Sequence, residues 1–212
     1  MARFVGRENI RKRLAPLEGE PGRTTYADGA ARIVAAGETI AVRPPFGLAH
    51  ERDYDVVRLE PLFEALAADH LVAALLVRLG GYAVGVFEGE RLVASKVGSR
   101  FVKGRHKKGG SSSGRFRRRR DEQASALIGE AAEVAARVLD PWRERIEFTA
   151  LGGDKAAVDR VLATSPNLDW LSERALPRFF TVRDPRQGVL ERLPYDLYAA
   201  ELSTDPGPAN AE

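Results

Sequence analysis

Cysteine is absent from this chain of 212 residues, which excludes disulfides, thiolate nucleophiles and the usual structural zinc sites together. Long apolar runs are missing too. Nothing approaches the roughly 18 uncharged apolar residues of a membrane span, and the opening Met1-Ala2-Arg3-Phe4-Val5-Gly6-Arg7-Glu8 holds no apolar core of signal-peptide length. A cytoplasmic protein with no membrane partner is the expectation. His50 and His70 have no ligand partners near them in sequence, so neither a metal nor another cofactor is expected. Glutamine occurs only as Gln123 and Gln187. Acid is missing from one window altogether: between Gly98 and Arg120 there are ten Lys or Arg residues and no Asp or Glu.

With 44% apolar and 30% charged residues the chain has the composition of a globular protein, and its length suffices for a sizeable core. The net charge is +3, and taking away the ten cations of the acid-free window leaves the rest at −7. Positive charge is therefore concentrated on one segment of an otherwise acidic body, which points to an anionic partner, nucleic acid first. In the middle of that segment lies Gly109-Gly110-Ser111-Ser112-Ser113-Gly114, where glycine lets a ligand approach the main chain. Arg100, Lys103, Arg105, His106, Lys107 and Lys108 precede it, and Arg115, Arg117, Arg118, Arg119 and Arg120 follow. Side chains of this kind replace the counterions of phosphates. They carry no base information, so recognition of backbone and shape, as in RNA or a ribonucleoprotein, is expected rather than sequence-specific reading of DNA.

The chain reads as an N-terminal segment over 1–69 packing on a main domain over 70–203, with a disordered tail over 204–212. A short helix is expected around Glu8 to Leu14, then a loop. Ala30 to Val42 reads as strand broken at Gly37 and stopped by Pro44-Pro45. Leu59, Leu62, Phe63, Leu66 and Ala67 recur at helical spacing, with Pro61 tolerable in a first turn. Three apolar runs, Leu71 to Leu79, Tyr82 to Phe87 and Leu92 to Val97, are separated by glycine-containing turns and make a β-meander whose first two strands are buried on both faces. A helix follows from Arg115 to about Leu139, with Leu127, Ala131, Val134 and Val138 on its core stripe and Asp140-Pro141 ending it. Its five leading arginines stand where the helix macrodipole is positive, so folding alone would favour acids there. Arg145 to Leu151 reads as a strand, Gly152-Gly153-Asp154 as a turn with Asp154 as N-cap, and Lys155 to Ala163 as a helix. Trp170 to Glu173 reads as helical, Arg178 to Val182 as a short strand, and Tyr195 to Leu202 as a closing helix or strand. This order argues for an α/β fold, a mixed β-sheet with helices on both faces and a protruding glycine- and serine-rich basic loop.

The run Gly80-Gly81-Tyr82-Ala83-Val84-Gly85-Val86-Phe87, the run Val93-Ala94-Ser95-Lys96-Val97-Gly98-Ser99-Arg100-Phe101-Val102, and Gly109-Gly110 followed by Arg115-Phe116 and more arginines resemble the actinobacterial branch of the Vms-type (VLRF) release-factor family. That branch is similar to the catalytic domain of class-one eukaryotic and archaeal release factors, in which a Gly-Gly loop precedes a helix opening with basic residues. The resemblance is strongest over Leu71 to Leu139 and weaker from Arg145 to Ala163. It implies a release-factor catalytic-domain-like fold, the large ribosomal subunit as partner and peptidyl-tRNA as substrate. Such a peptidyl-tRNA hydrolase sends its loop into the peptidyl-transferase centre and frees a nascent chain, in termination or in rescue of stalled ribosomes. Gly109, Gly110, Ser111, Ser112 and Ser113 would form the catalytic segment, with main-chain NH groups facing the developing oxyanion. The flanking cations would hold the CCA end and neighbouring ribosomal RNA.

The chain departs from the family at one point. Class-one factors carry glutamine directly after the two glycines, and the Vms-type branch typically places one two residues further on; here those positions are Ser111 and Ser113. Gln123 lies about two helical turns past the loop. Three readings stay open: a hydrolase in which serine hydroxyls and backbone amides position the water; a nuclease cutting near the tRNA CCA end, with His106 beside Arg105 or Lys107 as acid, base and charge stabiliser; and a non-catalytic tRNA- or ribosome-binding protein. Elsewhere plain structural readings prevail. Gly152-Gly153-Asp154-Lys155 lacks the P-loop spacing and reads as a capped turn. Asp53, Asp55, Glu60 and Glu64 read as solvated surface, Tyr82 and Phe87 as core, and Phe101 and Phe116 as braces of the loop.

Overall fold

The structure is a computed structural model that describes residues 2–99 and 113–206, with side chains described except at 113–117 and 206. In chain order its elements are β1 (Arg3–Gly6), α1 (Arg7–Leu14), β2 (Gly22–Ala27), β3 (Ala30–Ala35), β4 (Glu38–Arg43), β5 (Arg52–Tyr54), α2 (Glu60–Ala67), β6 (Leu71–Arg78), β7 (Gly81–Glu88), β8 (Arg91–Ser99), α3 (Ser113–Leu139), β9 (Phe148–Gly153), α4 (Lys155–Thr164), α5 (Trp170–Glu173), α6 (Gln187–Leu197) and β10 (Ala199–Pro206). They divide into two compact units, residues 69–194 and residues 1–68 with 195–212.

In the first unit, Leu71–Val77 and Gly81–Phe87 are buried at every position. Strands with no wet face belong in the middle of a sheet, and the order is β8-β7-β6-β9. The meander is antiparallel, while β9 runs parallel to β6 from Val72↔Phe148 to Val77↔Gly153, so the sheet is mixed as expected. One face of β6 and β7, Ala73, Leu75, Val77, Val84 and Val86, meets the stripe Leu127, Ala131, Val134 and Leu139 of α3, with Val158 and Val161 of α4 beside it. The period-two face of the strands and the 3.6-period stripe of the helix therefore close one core. On the opposite face Gly85 makes room for α6: a Cβ there would stand 3.3 Å from Leu190 Cδ2. Helices thus cover both faces.

The strand expected from Arg145 begins later. The amide of Arg145 donates to Trp142 O at 2.9 Å, and Arg174 Nη1 donates to Arg143 O at 2.6 Å and Ile146 O at 2.7 Å, holding this stretch as a turn. β9 then includes Gly152 and Gly153, which the sequence placed in the turn. Close approach demands them: a Cβ on Gly152 would lie 2.5 Å from Phe180 O and 2.8 Å from Leu76 Cδ2. Of the stretch Arg178 to Val182, Phe180 forms an isolated bridge with Gly152 rather than a strand.

The second unit is a six-stranded antiparallel sheet, ordered β1-β10-β4-β3-β2-β5. Asp28-Gly29 and Ala36-Gly37 all have positive φ, the conformation of tight two-residue hairpins, so the break expected at Gly37 is a β3–β4 turn. Ile10, Leu14, Ile33, Ile40, Val42, Leu62 and Leu202 make its core. Tyr26 is buried there and donates to Arg58 O at 2.6 Å; burial pushes its phenol up to about 12. β1 and β2 fall where a helix and loop alone were expected, because pairing with distant partners supplies what local sequence does not. Thr24 is an example: its hydroxyl donates to Val56 O at 3.3 Å and accepts from the Arg58 amide at 3.0 Å. The chain's last described stretch is helix to Leu197 and strand from Ala199, and β10 pairs Thr204, Asp205 and Pro206 with Ile40, Thr39 and Glu38. Strand pairing therefore reaches into the segment whose composition reads as tail.

Two predictions follow from the four-stranded sheet. Gly152→Ala should destabilise the protein by about 1–3 kcal/mol in urea unfolding, since the methyl meets backbone that cannot move aside. The second concerns Glu147, whose Oε1 accepts from the Leu71 amide at 3.0 Å and whose Oε2 lies 2.8 Å from His70 Nδ1. Burial pushes this carboxyl up, but the bonds from His70 and Leu71 and the charge of His70 outweigh it and hold it below its ordinary value. The unfolded chain has the higher value, so the stabilisation is whole above the ordinary carboxylate range and is lost as pH falls through the folded one. Glu147→Gln should be less stable than wild type near neutrality, and the two unfolding curves should converge as pH falls below the ordinary carboxylate range.

Candidate nucleic-acid interface

The cationic segment leaves an edge strand and returns as a long helix. Among the described residues β8 pairs only with β7; it runs to Ser99, opposite Gly81, and α3 spans Ser113–Leu139. The root is firmly held. Tyr82 of β7, 2% exposed, donates its hydroxyl hydrogen to Glu130 Oε1 of α3 at 2.9 Å. The side-chain position of Gly98 is occupied by that tyrosine ring, so only glycine fits there. β8 and α3 are thus tied to one core through a single buried aromatic, and Tyr82 and Phe87 are core as expected.

Arg100, Phe101, Lys103, Arg105, His106, Lys107, Lys108, Gly109, Gly110, Ser111 and Ser112 lie outside the described residues. Ser113, Arg115, Phe116 and Arg117 are described through their helical backbone. Arg118 and Arg119 are exposed and make no ion pair with any described residue; Arg120 is half-buried, its Nη2 3.5 Å from Asp121 Oδ1. The helix is already formed at Ser113, two residues ahead of the expected start, so Arg117 to Arg120 lie at least a full turn inside it, beyond the range over which the macrodipole acts strongly. Their clustering, rather than opposition to the dipole, is what sets them apart from the rest of the helix. Gln123 sits ten residues past the helix start, roughly 15 Å along the axis.

The minor constellations resolve structurally. Asp154 caps α4, accepting from the Ala157 amide at 3.1 Å, while the amides of Gly153 and Asp154 donate to Phe180 O at 2.8 Å and Val77 O at 2.7 Å. Backbone donors already used in this way are not a phosphate cradle. Asp53 accepts from Thr25 at 2.6 Å, and Glu60 pairs with Arg58 at 2.7 Å on the surface. His50 Nε2 lies 3.0 Å from the Tyr54 hydroxyl. Among the described residues there is no group able to hold a metal ion, and no helix is long and apolar enough to cross a membrane.

Sequence reasoning missed one feature. Arg78, Arg183 and Arg186 come together around a cleft beside Gly80, Gly81, Gly98 and Ser99. Arg78 was visible as the one charge interrupting an apolar run before two glycines. Nothing in the sequence linked it to residues more than a hundred positions away.

Fold and corner together define a mixed α/β domain that carries a cationic, glycine-rich segment between an edge strand and a crossover helix. The family model described as Actinobacteria/chloroflexi VLRF1 release factor matches residues 70–203, and the chain belongs to that family. The resemblance read from Gly80 to Phe87, Val93 to Val102 and Gly109-Gly110 is therefore borne out. The chain is also similar to peptide chain release factor subunit 1 of Archaeoglobus fulgidus, 28% identical over 95 residues, which are 45% of this chain and 23% of that protein. Among solved structures, the archaeal translation termination factor aRF1 is 15% identical, with a TM-score of 0.44, over 76% of this chain and 50% of that one. The Vms1 mitochondrial localization core is 12% identical, with a TM-score of 0.48, over 92% of this chain and 80% of that one. The chain spans about a quarter of the curated relative and half of the solved termination factor.

Since Arg118 and Arg119 contribute no ion pair to the described structure, their reversal should leave the fold intact. Arg118→Glu with Arg119→Glu should change unfolding free energy by no more than about 1 kcal/mol, measured in urea. A larger loss would make them structural residues.

Proposed function

We propose that this protein is a ribosome-associated release factor that acts on peptidyl-tRNA in the cytoplasm, freeing nascent chains in termination or in rescue of stalled ribosomes. The observation that carries the reading is family membership over residues 70–203 together with ten cations and no acid in a segment rooted on a rigid sheet edge. The cations around Gly109–Ser113 neutralise phosphates of the CCA end and of large-subunit RNA. In the reaction a water oxygen adds to the ester carbonyl carbon and the bond to the terminal ribose oxygen breaks. The products are a free peptide carboxyl group and a tRNA 3′-hydroxyl. Main-chain NH groups of the glycine-rich segment stabilise the oxyanion. Ser111 and Ser113, at the positions where relatives carry glutamine, place the water through their hydroxyls.

Those serines also favour a second reading, a protein of the same fold that occupies the site without cleaving. A reconstituted release assay separates the two. Wild type should liberate peptide from stalled peptidyl-tRNA, and Gly109→Ala with Gly110→Ala, whose methyl groups restrict the backbone that aims the NH donors, should slow release by about a hundredfold, the scale of a misplaced oxyanion donor. Ribosome binding without release in wild type would establish the non-cleaving reading. Sequencing the tRNA 3′ end in the same reaction checks the chemistry: an intact CCA end means ester hydrolysis, and a shortened one means a nucleolytic cut.

A further inference from the structure

The cleft at the root of the cationic segment has a volume of about 690 Å³ and lies wholly within the four-stranded-sheet unit. It is bounded by the β6–β7 turn, the end of β8 and the stretch Arg183-Asp184-Pro185-Arg186. We propose that it is a binding site for the sugar-phosphate backbone of single-stranded RNA, taking up a nucleotide or two that continue from the strand held by the cationic segment. The proposal rests on the RNA-directed reading above and adds a second, separate point of attachment.

Charge is the first argument. Three guanidinium groups and one carboxylate line the cleft, and Asp184 is already neutralised by Arg186 at 2.5 Å. Arg183 makes no ion pair or hydrogen bond with a described residue, and Arg78 spends one donor on Val182 O at 3.3 Å, which fixes its position and leaves its other donors to the cleft. Net positive charge presented by planar, multi-donor groups is suited to phosphate oxygens.

Shape and polarity give the second argument. Leu79, 49% exposed, stands with Val97 and Pro185 among the cations, an apolar surface on which a ribose or base can lie. Gly80 has φ +116° and open space where a side chain would be, so a ligand can reach the main chain there. The volume matches nucleotide-sized ligands, for which about 300–1,000 Å³ is usual. Position is the third argument. Ser99, in the cleft wall, is the residue directly before Arg100, so the cleft adjoins the start of the cationic segment in sequence.

The test uses the full chain and a short single-stranded RNA oligonucleotide carrying 4-thiouridine. Photo-crosslinking followed by peptide mapping should place adducts on peptides containing residues 78–81 or 183–186, and AMP in excess should leave them in place. In anisotropy titrations, Arg183→Gln should weaken binding several-fold and flatten the plot of log affinity against log salt by about 0.7, the value per phosphate contact on a single strand. Arg183 is an exposed surface position, and an unchanged thermal midpoint shows the variant folded. Adducts confined to residues 100–120 with an unchanged salt slope overturn the cleft and leave the release-factor reading standing. Cleft adducts in a protein that releases no peptide keep the cleft and overturn the hydrolase. Displacement of the adducts by AMP makes this a mononucleotide site and overturns the proposal, as does the absence of RNA binding.

Discussion

β6 and β7 lie side by side with apolar residues on both faces, and the positions of α3, α4, α6 and the parallel strand β9 follow from covering them. Each fully buried valine or leucine contributes about 1.5–3 kcal/mol, whereas surface ion pairs such as Arg58 with Glu60 contribute about 0–1 kcal/mol. The apolar contact between α3 and the sheet therefore decides where the helix lies, and charge decides little. Because the same helix begins in the arginine cluster, burial of Leu127, Ala131 and Val134 also determines where those arginines emerge. Tyr82 completes the arrangement by packing on Gly98 at the end of β8 and bonding Glu130 in the second half of α3.

Freed from a stabilising role, charge can be distributed for binding. The acid-free window departs from the end of β8, and the cleft of Arg78, Arg183 and Arg186 opens at the same end of the sheet. Arg78 and the stretch Arg183-Asp184-Pro185-Arg186, remote from each other in sequence, thus bring cations to one end of the four-stranded sheet. A rigid base matters for a polyanion ligand: attachment at two points on one body costs less ordering than attachment at two independent ones.

Much of this was legible in the chain. The meander declared itself through three strand-length apolar runs with glycine turns, and the core stripe of α3 through its 3.6-residue spacing, since both patterns are local and periodic. The Asp154 cap was equally plain, being a single side chain bonded to an amide three residues on. What escaped were features that depend on partners far away. β2 became a strand because β3 and β5 pair with it, and Thr204 to Pro206 because Ile40 to Glu38 do. With α3 already formed at Ser113, Arg117 to Arg120 lie beyond its first turn, so the macrodipole bears little on their presence.

The amino-acid sequence by itself determined that one segment is cationic, glycine-rich and free of acid, that two central strands are buried, and that this pattern is that of a release-factor family; these are properties of neighbouring residues and survive without coordinates. Only the tertiary structure decided that Arg78 and the arginines at 183 and 186 share a cleft at the root of that segment, and that Gly98 must be glycine because Tyr82 occupies its side-chain space. The physical reason is that juxtaposition across a sheet is set by register and by the closing of a core, quantities that arise between segments and are written in none of them singly.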